Sequence, residues 1–466
     1  MISSVGPELR QGRGSEKLAK PTFKRADPDK SRLLAFNLIT QVNREGAYAN
    51  IRLPQLLSES KLDERDRGFA TELSYGTLRM QGKHDWAIRA KIDRPFETLD
   101  GAVVDLLRMG IHQIFEMRVP DHAAVDATVE VARSVAGEGK ASYVNAILRT
   151  ILREPPDYEA LEDLSTVHSH PEWIVSAFRD QLKDEGRLVS LLTAHNTPVA
   201  PHIVCWPGKS TTDEILEEGG ELIPEGRYVV RATKMPGSYT AIHERRAGVQ
   251  DLGSQLISEI FFNTAGDSDY LNWLDMCAGP GGKAAMLFNL LHVNRPKDNF
   301  TANEPTEHRA QLVSHVVPAS HVISHPGEEL PQLSARYDRI IIDAPCSGLG
   351  ALRRRPEARW RKTQADLKNL VALQRTLLDS GVELLNPDGI LAYVTCSPHR
   401  SETTAQVADF LYRHKDFELI SAAPYIPDSA ASMGLPKEDG TIQMWSDIHG
   451  TDSMFMALLR RKSASR

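Results

Sequence analysis

The chain has 466 residues, of which 41% are hydrophobic and 25% charged, and its formal net charge is -7. That length suggests about three domains. The 31 Gly and 27 Pro follow no short period, which excludes a collagen-like chain, and no run of 18 apolar residues is present to cross a membrane. Any contact with nucleic acid must come from local basic patches, because the whole chain is acidic. Cys205, Cys277, Cys346 and Cys396 form no CxxC pair. That spacing argues against structural zinc or a disulfide framework, so no metal is expected, and a reducing cytoplasm is the expected location.

Residues 1–28 are polar and carry Arg10, Arg13, Lys17, Lys20, Lys24 and Arg25. They read as a disordered basic arm without the apolar core of a secretory signal, either a solvated tail or an RNA contact. From 29 to 160 the pattern is helical. Leu33, Leu34, Ile39 and Val42 recur at helical spacing, as do Val103, Leu106, Leu107 and Ile111. Nothing there alternates as strands do, and Pro155–Pro156 break the chain. Residues 161–265 mix a helical run at 170–178 with a strand-like run at 201–208, which predicts a connecting α+β subdomain.

From 266 to 466 the signal changes. Short apolar runs at 270–279, 299–304, 321–325, 339–344 and 390–397 alternate with helical patterns at 283–292, 306–317, 364–385 and 401–413. Strand–helix alternation with near-continuous apolar strands predicts an α/β domain, a Rossmann-like parallel sheet covered on both faces. Such sheets bind ligands beyond the carboxyl ends of their strands, and the chemical motifs lie there.

The first motif is LDMCAGPGGKAAM (274–286), in which Gly279, Pro280, Gly281 and Gly282 turn from a strand into a helix. Glycine permits close backbone approach to a ligand. A P-loop fails, because Cys277 stands where its first Gly belongs and Ala284 where its Ser or Thr belongs. A dinucleotide fingerprint is formally met by Gly279, Gly281 and Ala284, and a nucleoside cofactor without phosphate, such as S-adenosylmethionine, is equally compatible. Glu304 ends the second strand and can accept hydrogen bonds from ribose hydroxyls of either cofactor.

Two further strands end in IIIDAPCSGLG (340–350) and ILAYVTCSP (390–398). They bring Asp343 with Cys346, and Thr395 with Cys396 and Ser397, to one edge of the sheet. A hydride-transfer enzyme has no use for two such cysteines. A reaction that does need a thiolate, a carboxyl group and a methyl donor is methylation of cytosine at C5. A thiolate adding at C6 makes C5 nucleophilic, and a carboxyl group at N3 stabilises the developing charge.

At this point DMCAGPGGK, DAPCSGLGALRRRPEARW and YVTCS together resemble the Sun (Fmu) family of RNA cytosine-C5 methyltransferases. VQDLGSQL (249–256) and GTDSMFMALLRR (450–461) extend the resemblance. The segments ERDRGFATELSYGTLR (64–79), DLLRMGIHQI (105–114) and YVNAILRTIL (143–152) are similar to the helical NusB domain, so the chain resembles the RsmB type, which acts on small-subunit ribosomal RNA. The resemblance implies S-adenosylmethionine as cofactor, Cys396 as nucleophile, Cys346 as an aid to product release and Asp343 beside the cytosine. It further implies that Cys277, Ala278, Gly279, Pro280, Gly281, Gly282 and Lys283 cradle the cofactor and that Glu304 binds its ribose. Two positions depart from the family pattern. Gly327 follows His325 and Pro326 where an Asp near the adenine is usual, and the acidic pair after TCS is reduced to Ser401–Glu402.

RRRPEARWRK (353–362) is the densest basic cluster. Arg353, Arg354, Arg355, Arg359, Arg361 and Lys362 suit phosphates, and Trp360 suits a flipped base. The expected partner is therefore RNA, held by this cluster and by the helical domain. Related chemistry on tRNA, or a non-catalytic assembly factor, fits the same features.

Overall fold

The computed structural model describes residues 27–462, so nearly all of the basic arm lies outside the described residues. Seven α-helices follow within 30–153: α1 (Lys30–Arg44), α2 (Ala49–Glu59), α3 (Glu64–Arg79), α4 (Gln81–Arg89), α5 (Gly101–Phe115), α6 (Asp121–Ala136) and α7 (Glu138–Arg153). Asp29, Asp63 and Asp100 cap α1, α3 and α5 through their carboxylates, satisfying N–H groups that the first turn leaves free. Leu38, Ile39, Leu73, Leu107, Ile111 and Leu148 form the core of this all-helical domain, as their spacing predicts.

The connecting region divides into two parts. Helices α8 (Leu164–Val167), α9 (Glu172–Leu182) and α10 (Glu185–Asn196) come first. Their Ile174, Phe178, Leu188 and Leu192 pack on Leu349, Leu352 and Trp445, far along the chain. A small antiparallel sheet follows, built from β1 (His202–Cys205), β2 (Glu221–Leu222), β3 (Val229–Arg231) and β4 (Ala247–Val249) in the order β2-β3-β1-β4. Helices α11 (Thr212–Glu217) and α12 (Thr240–His243) connect its strands.

Helix α13 (Leu252–Asn263) follows the small sheet. Its Leu256, Ile257, Ile260 and Phe261 share a core with Trp273 and Leu287 of the main α/β domain and with Val204 and Val229 of the small sheet, so the two regions pack as neighbours across residue 266. The main sheet runs β10-β12-β9-β8-β5-β6-β7. Its parallel strands are β5 (Asn272–Asp275), β6 (Asn299–Asn303), β7 (Val322–Ile323), β8 (Tyr337–Asp343) and β9 (Leu385–Thr395). Strands β10 (Phe417–Ile420), β11 (Ile442–Gln443) and β12 (Phe455–Arg461) complete it in antiparallel sense.

Successive side chains of these strands enter two different cores. Trp273, Ile341 and Ala392 face α13 and α14 (Gly282–Asn294), while Leu274, Ile340, Ile342 and Leu391 face α17 (Gln364–Leu384) and α18 (Thr404–Arg413). Burial on both faces explains why the strands read as unbroken apolar runs. The remaining helices are α15 (Glu307–Ser314), α16 (Ala358–Arg361) and α19 (Ser446–His449). Thr363 starts α17 with a reciprocal cap: its hydroxyl accepts from Asp366 N–H at 3.2 Å, and Asp366 accepts from Thr363 N–H at 2.9 Å. The carboxyl ends of β5, β6, β8 and β9 thus gather Asp275, Glu304, Asp343 and Cys396 at one edge.

Candidate active site

The loop after β5 is shaped for a close ligand. Gly281 has φ +115°, a conformation that glycine tolerates and that opens α14 without a side-chain cap. A side chain at Gly279 would collide with the Glu304 carboxylate. Glu304 is 2% exposed, accepts from Thr306 N–H at 3.0 Å and pairs with Arg309 at 3.6 Å. Arg309 also donates to the Gly279 carbonyl, tying the loop to the second strand. The loop is further pinned where Ala278 N–H donates to Asn303 O at 2.8 Å. Unpaired N–H groups at a helix start, a bare glycine turn and a buried carboxylate beside it fit a nucleoside cofactor with ribose hydroxyls.

Asp275 lies beneath this loop. One of its oxygens accepts from Cys277 N–H at 3.3 Å, and the other is buried without a partner. Burial, reinforced by the charge of Asp343, pushes its pKa up to about 7. Burial likewise raises the Cys277 thiol, which keeps it protonated within that loop.

Lys283, on the first turn of α14, donates to Asp343 at 2.8 Å across the gap between β5 and β8. Burial works against its ammonium, yet the Asp343 charge and hydrogen bond outweigh burial and hold its pKa above the ordinary value. On the far side of Asp343, the Cys346 and Cys396 sulfurs are 3.3 Å apart. They diverge in proton affinity. The hydrogen bond from Cys346 lowers the Cys396 pKa, with further help from Arg355 and Lys283, against opposing burial and the Asp343 charge. The same hydrogen bond, together with burial, raises Cys346. Cys396 is therefore the more readily deprotonated of the two sulfurs and Cys346 the less.

Glu402 holds both cysteine loops. Fully buried, it accepts from Ser347 N–H at 2.8 Å, from the Ser347 hydroxyl at 2.5 Å and from Gln374 at 3.1 Å. Gln374 also donates to the Pro345 carbonyl at 2.9 Å. Sequence reasoning noted Glu402 only as the remnant of an acidic pair and missed Asp275, Arg309 and Gln374. Asp275 was visible in its motif, but Gln374 carries no local signal, because α17 brings it in from outside every motif.

The basic cluster serves a purpose other than the expected one. Arg353 is 6% exposed and donates to the Gly450 carbonyl, and Arg354 clasps Asp452 through two hydrogen bonds. Arg359 is completely buried and donates to Ser169 O at 3.0 Å and Asn196 Oδ1 at 2.8 Å, in the middle helices. Arg361 donates to the Val42, Gly46 and Ala47 carbonyls of the helical domain. Trp360 is half-buried against Gly82 of that domain. The expected RNA contact fails for these five residues because protein acceptors and packing already occupy them. Arg355 is exposed, and its guanidinium forms no ion pair or hydrogen bond among the described residues.

The sheet and its loaded strand ends place the chain in the class of Rossmann-like methyltransferases, here carrying an all-helical NusB domain. The family described as 16S rRNA methyltransferase RsmB/F matches residues 264–460, and the NusB family matches residues 29–153. Rv1407 of Mycobacterium tuberculosis (strain ATCC 25618 / H37Rv) is 39% identical over 455 residues, covering 93% of this chain and 97% of its own. "Probable ribosomal RNA small subunit methyltransferase B" of Bacillus subtilis (strain 168) is 29% identical, covering 92% and 98%. The crystal structure of PH0851 covers 96% of this chain and 100% of its own at a TM-score of 0.77 and 20% identity, and so shares the fold. The chain belongs to the RsmB/F methyltransferase family.

Proposed function

We propose that this protein methylates C5 of a cytosine in 16S ribosomal RNA, using S-adenosylmethionine and a covalent adduct with Cys396. The observation that carries this reading is the cysteine pair: two sulfurs 3.3 Å apart at the ends of adjacent parallel strands, with opposite proton affinities, beside the Lys283–Asp343 pair. Ribosomal RNA as substrate is supported by the name of the Bacillus subtilis relative.

The Cys396 thiolate forms a bond to C6 of the cytosine, and the C5=C6 electron pair moves towards N3, leaving an enamine with a nucleophilic C5. Asp343 holds the polar edge of the ring, while Lys283 balances its charge and fixes its orientation. The residues 277–283 and Glu304 would hold S-adenosylmethionine, which when bound supplies an electrophilic methyl group to C5. The C5 proton then passes to solvent water, its bonding pair re-forms the C5=C6 double bond, and the C6–S bond breaks to return the Cys396 thiolate. Cys346, kept as a thiol, assists that release as a hydrogen-bond donor to the departing sulfur, 3.3 Å away. RNA is held by Arg355 and by the helical domain.

The test separates the two cysteines. Cys396→Ala should abolish methylation while S-adenosylmethionine still binds. Cys346→Ala should accumulate a protein–RNA adduct, seen as a retarded band on a denaturing gel. Bisulfite sequencing of 16S ribosomal RNA with and without the gene should reveal one protected cytosine. Normal turnover by Cys396→Ala, or no change in the bisulfite pattern, would overturn the reading.

A further inference from the structure

Between the middle helices and the catalytic domain lies a cavity of about 660 Å3 that the chemistry above does not use. Trp173 and Gln181 of α9 form one side, Leu367 and Lys368 of α17 another, and His399 and Arg400 a third. We propose that this cavity binds the single-stranded nucleotides flanking the target cytosine, with one base stacked on Trp173. The proposal rests on the RNA reading above and adds to it a second binding site.

Position is the first argument. His399 follows Cys396 by three residues on the same loop, so its backbone lies within about 11 Å of the nucleophile's. The opposite wall, α17, holds the Pro345 carbonyl and Glu402 through Gln374. The α17 wall is thus tied by hydrogen bonds to both cysteine loops, which sets the cavity beside the site where the target cytosine would enter.

The lining has the chemistry that single strands need. Unpaired bases are bound by stacking on aromatic rings and by cations along the backbone. Trp173 is half-buried against the core shared by α9, α10 and the catalytic domain, which fixes its ring in place. Lys368 and Arg400 are exposed and form no ion pair among the described residues, whereas the one acid in the lining, Asp180, pairs with Lys183 at 3.5 Å. Polar atoms are also left over for a base edge. His399 accepts from Ser401 N–H at Nδ1, so its Nε2 carries the ring proton as a donor, and burial keeps the ring neutral by lowering its pKa. Gln181 offers a buried side-chain oxygen without a partner. The volume lies within the roughly 300–1,000 Å3 of small-molecule sites.

The experiment uses the full chain and a fluorescein-labelled ten-nucleotide oligocytidylate, with binding read by anisotropy. Trp173→Ala should weaken binding roughly 5- to 150-fold, the effect of losing one stacked base, and Trp173→Phe should restore most of it. Lys368→Ala should reduce the slope of log affinity against log salt by roughly 0.7. Calorimetric affinity for S-adenosylmethionine should remain unchanged in all three, which shows that the variants fold. Equal binding by wild type and Trp173→Ala, or no binding of the oligonucleotide by wild type, would overturn the proposal. A chain that methylates no cytosine yet loses oligocytidylate on Trp173→Ala would keep the cavity as a strand-binding site and sink only the reaction. Normal methylation kinetics for Trp173→Ala on ribosomal RNA, with unchanged KM, would sink the cavity alone.

Discussion

The hydroxyls of Ser347 and Ser397 lie 3.1 Å apart, one residue beyond the cysteine sulfurs that approach to 3.3 Å. The two strand-end loops face each other twice, thiol to thiol and hydroxyl to hydroxyl. Gly350 adds a third tie, because its N–H donates to the Cys396 carbonyl at 3.0 Å and a side chain there would collide with that carbonyl's neighbourhood. The separation of the sulfurs is therefore set by the packing of whole loops.

Glu402 is the residue on which that packing depends. Glu402→Ala leaves the Ser347 N–H and hydroxyl and one Gln374 donor without their acceptor in a buried site. Unfolding free energy from urea titration should fall by about 3 kcal/mol. Glu402→Gln keeps an oxygen acceptor and should fall between wild type and Ala. An unchanged urea midpoint for the Ala variant would remove Glu402 from this role.

Arg354 and Arg355 are neighbours in sequence and should respond differently. Arg354→Ala leaves the buried Asp452 without its nearest cation and should cost about 3–5 kcal/mol of stability, with the salt dependence of RNA binding unchanged. Arg355→Ala should spare the melting temperature and reduce the salt slope by roughly 0.7. It also removes a cation that favours the Cys396 thiolate, so alkylation of Cys396 by iodoacetamide should require a higher pH. Alkylation profiles that superimpose would show that Arg355 does not act on Cys396.

Glu304→Ala should weaken S-adenosylmethionine binding by about 1–3 kcal/mol, the loss of a charged hydrogen-bond acceptor. Titration calorimetry gives the affinity, and a melting curve run alongside controls for the lost Arg309 partner. Unchanged affinity would place the ribose elsewhere.

His202 should make the fold sensitive to acid. It accepts from Leu252 N–H at Nδ1 at 3.1 Å, and burial, with Arg354 and Arg353 nearby, lowers its pKa to about 4. Its ordinary value is about 6.5, so the unfolded chain binds more protons between those two pH values. Stability is therefore intact above pH 6.5 and declines as pH falls towards 4, by about 3 kcal/mol for this group. His202→Asn keeps an acceptor and cannot take up the proton. Its melting temperature should fall less steeply with acid than that of wild type, and parallel curves would count against the assignment.

Much of this site was legible in the sequence because its parts sit at strand ends inside contiguous motifs. Asp343 with Cys346, Thr395 with Cys396, and the glycine turn each announce themselves locally. The arginine cluster misled for a physical reason: charge density along a chain says nothing about which carbonyls will be folded against it. Arg359 and a solvated arginine look alike until Ser169 and Asn196 arrive from 190 and 163 residues away. Strand β12 was missed as an element, although it pairs between β10 and β9, because its apolar run FMALL also fits a short buried helix. The small sheet of β1–β4 was only partly visible, since strands of two to four residues are too short to show alternation.

The stretch from Arg353 to Lys362 touches Asp452 near the C-terminus, Asn196 in the middle helices and Ala47 in the helical domain. Melting any one of these partners alone would strand a buried cation in what remains. The three domains should therefore unfold as one cooperative unit, giving a single calorimetric transition where a loosely strung chain would give several. An excised catalytic half would keep Arg359 and Arg361 but lose the carbonyls that solvate them, and it should be less stable than the intact chain.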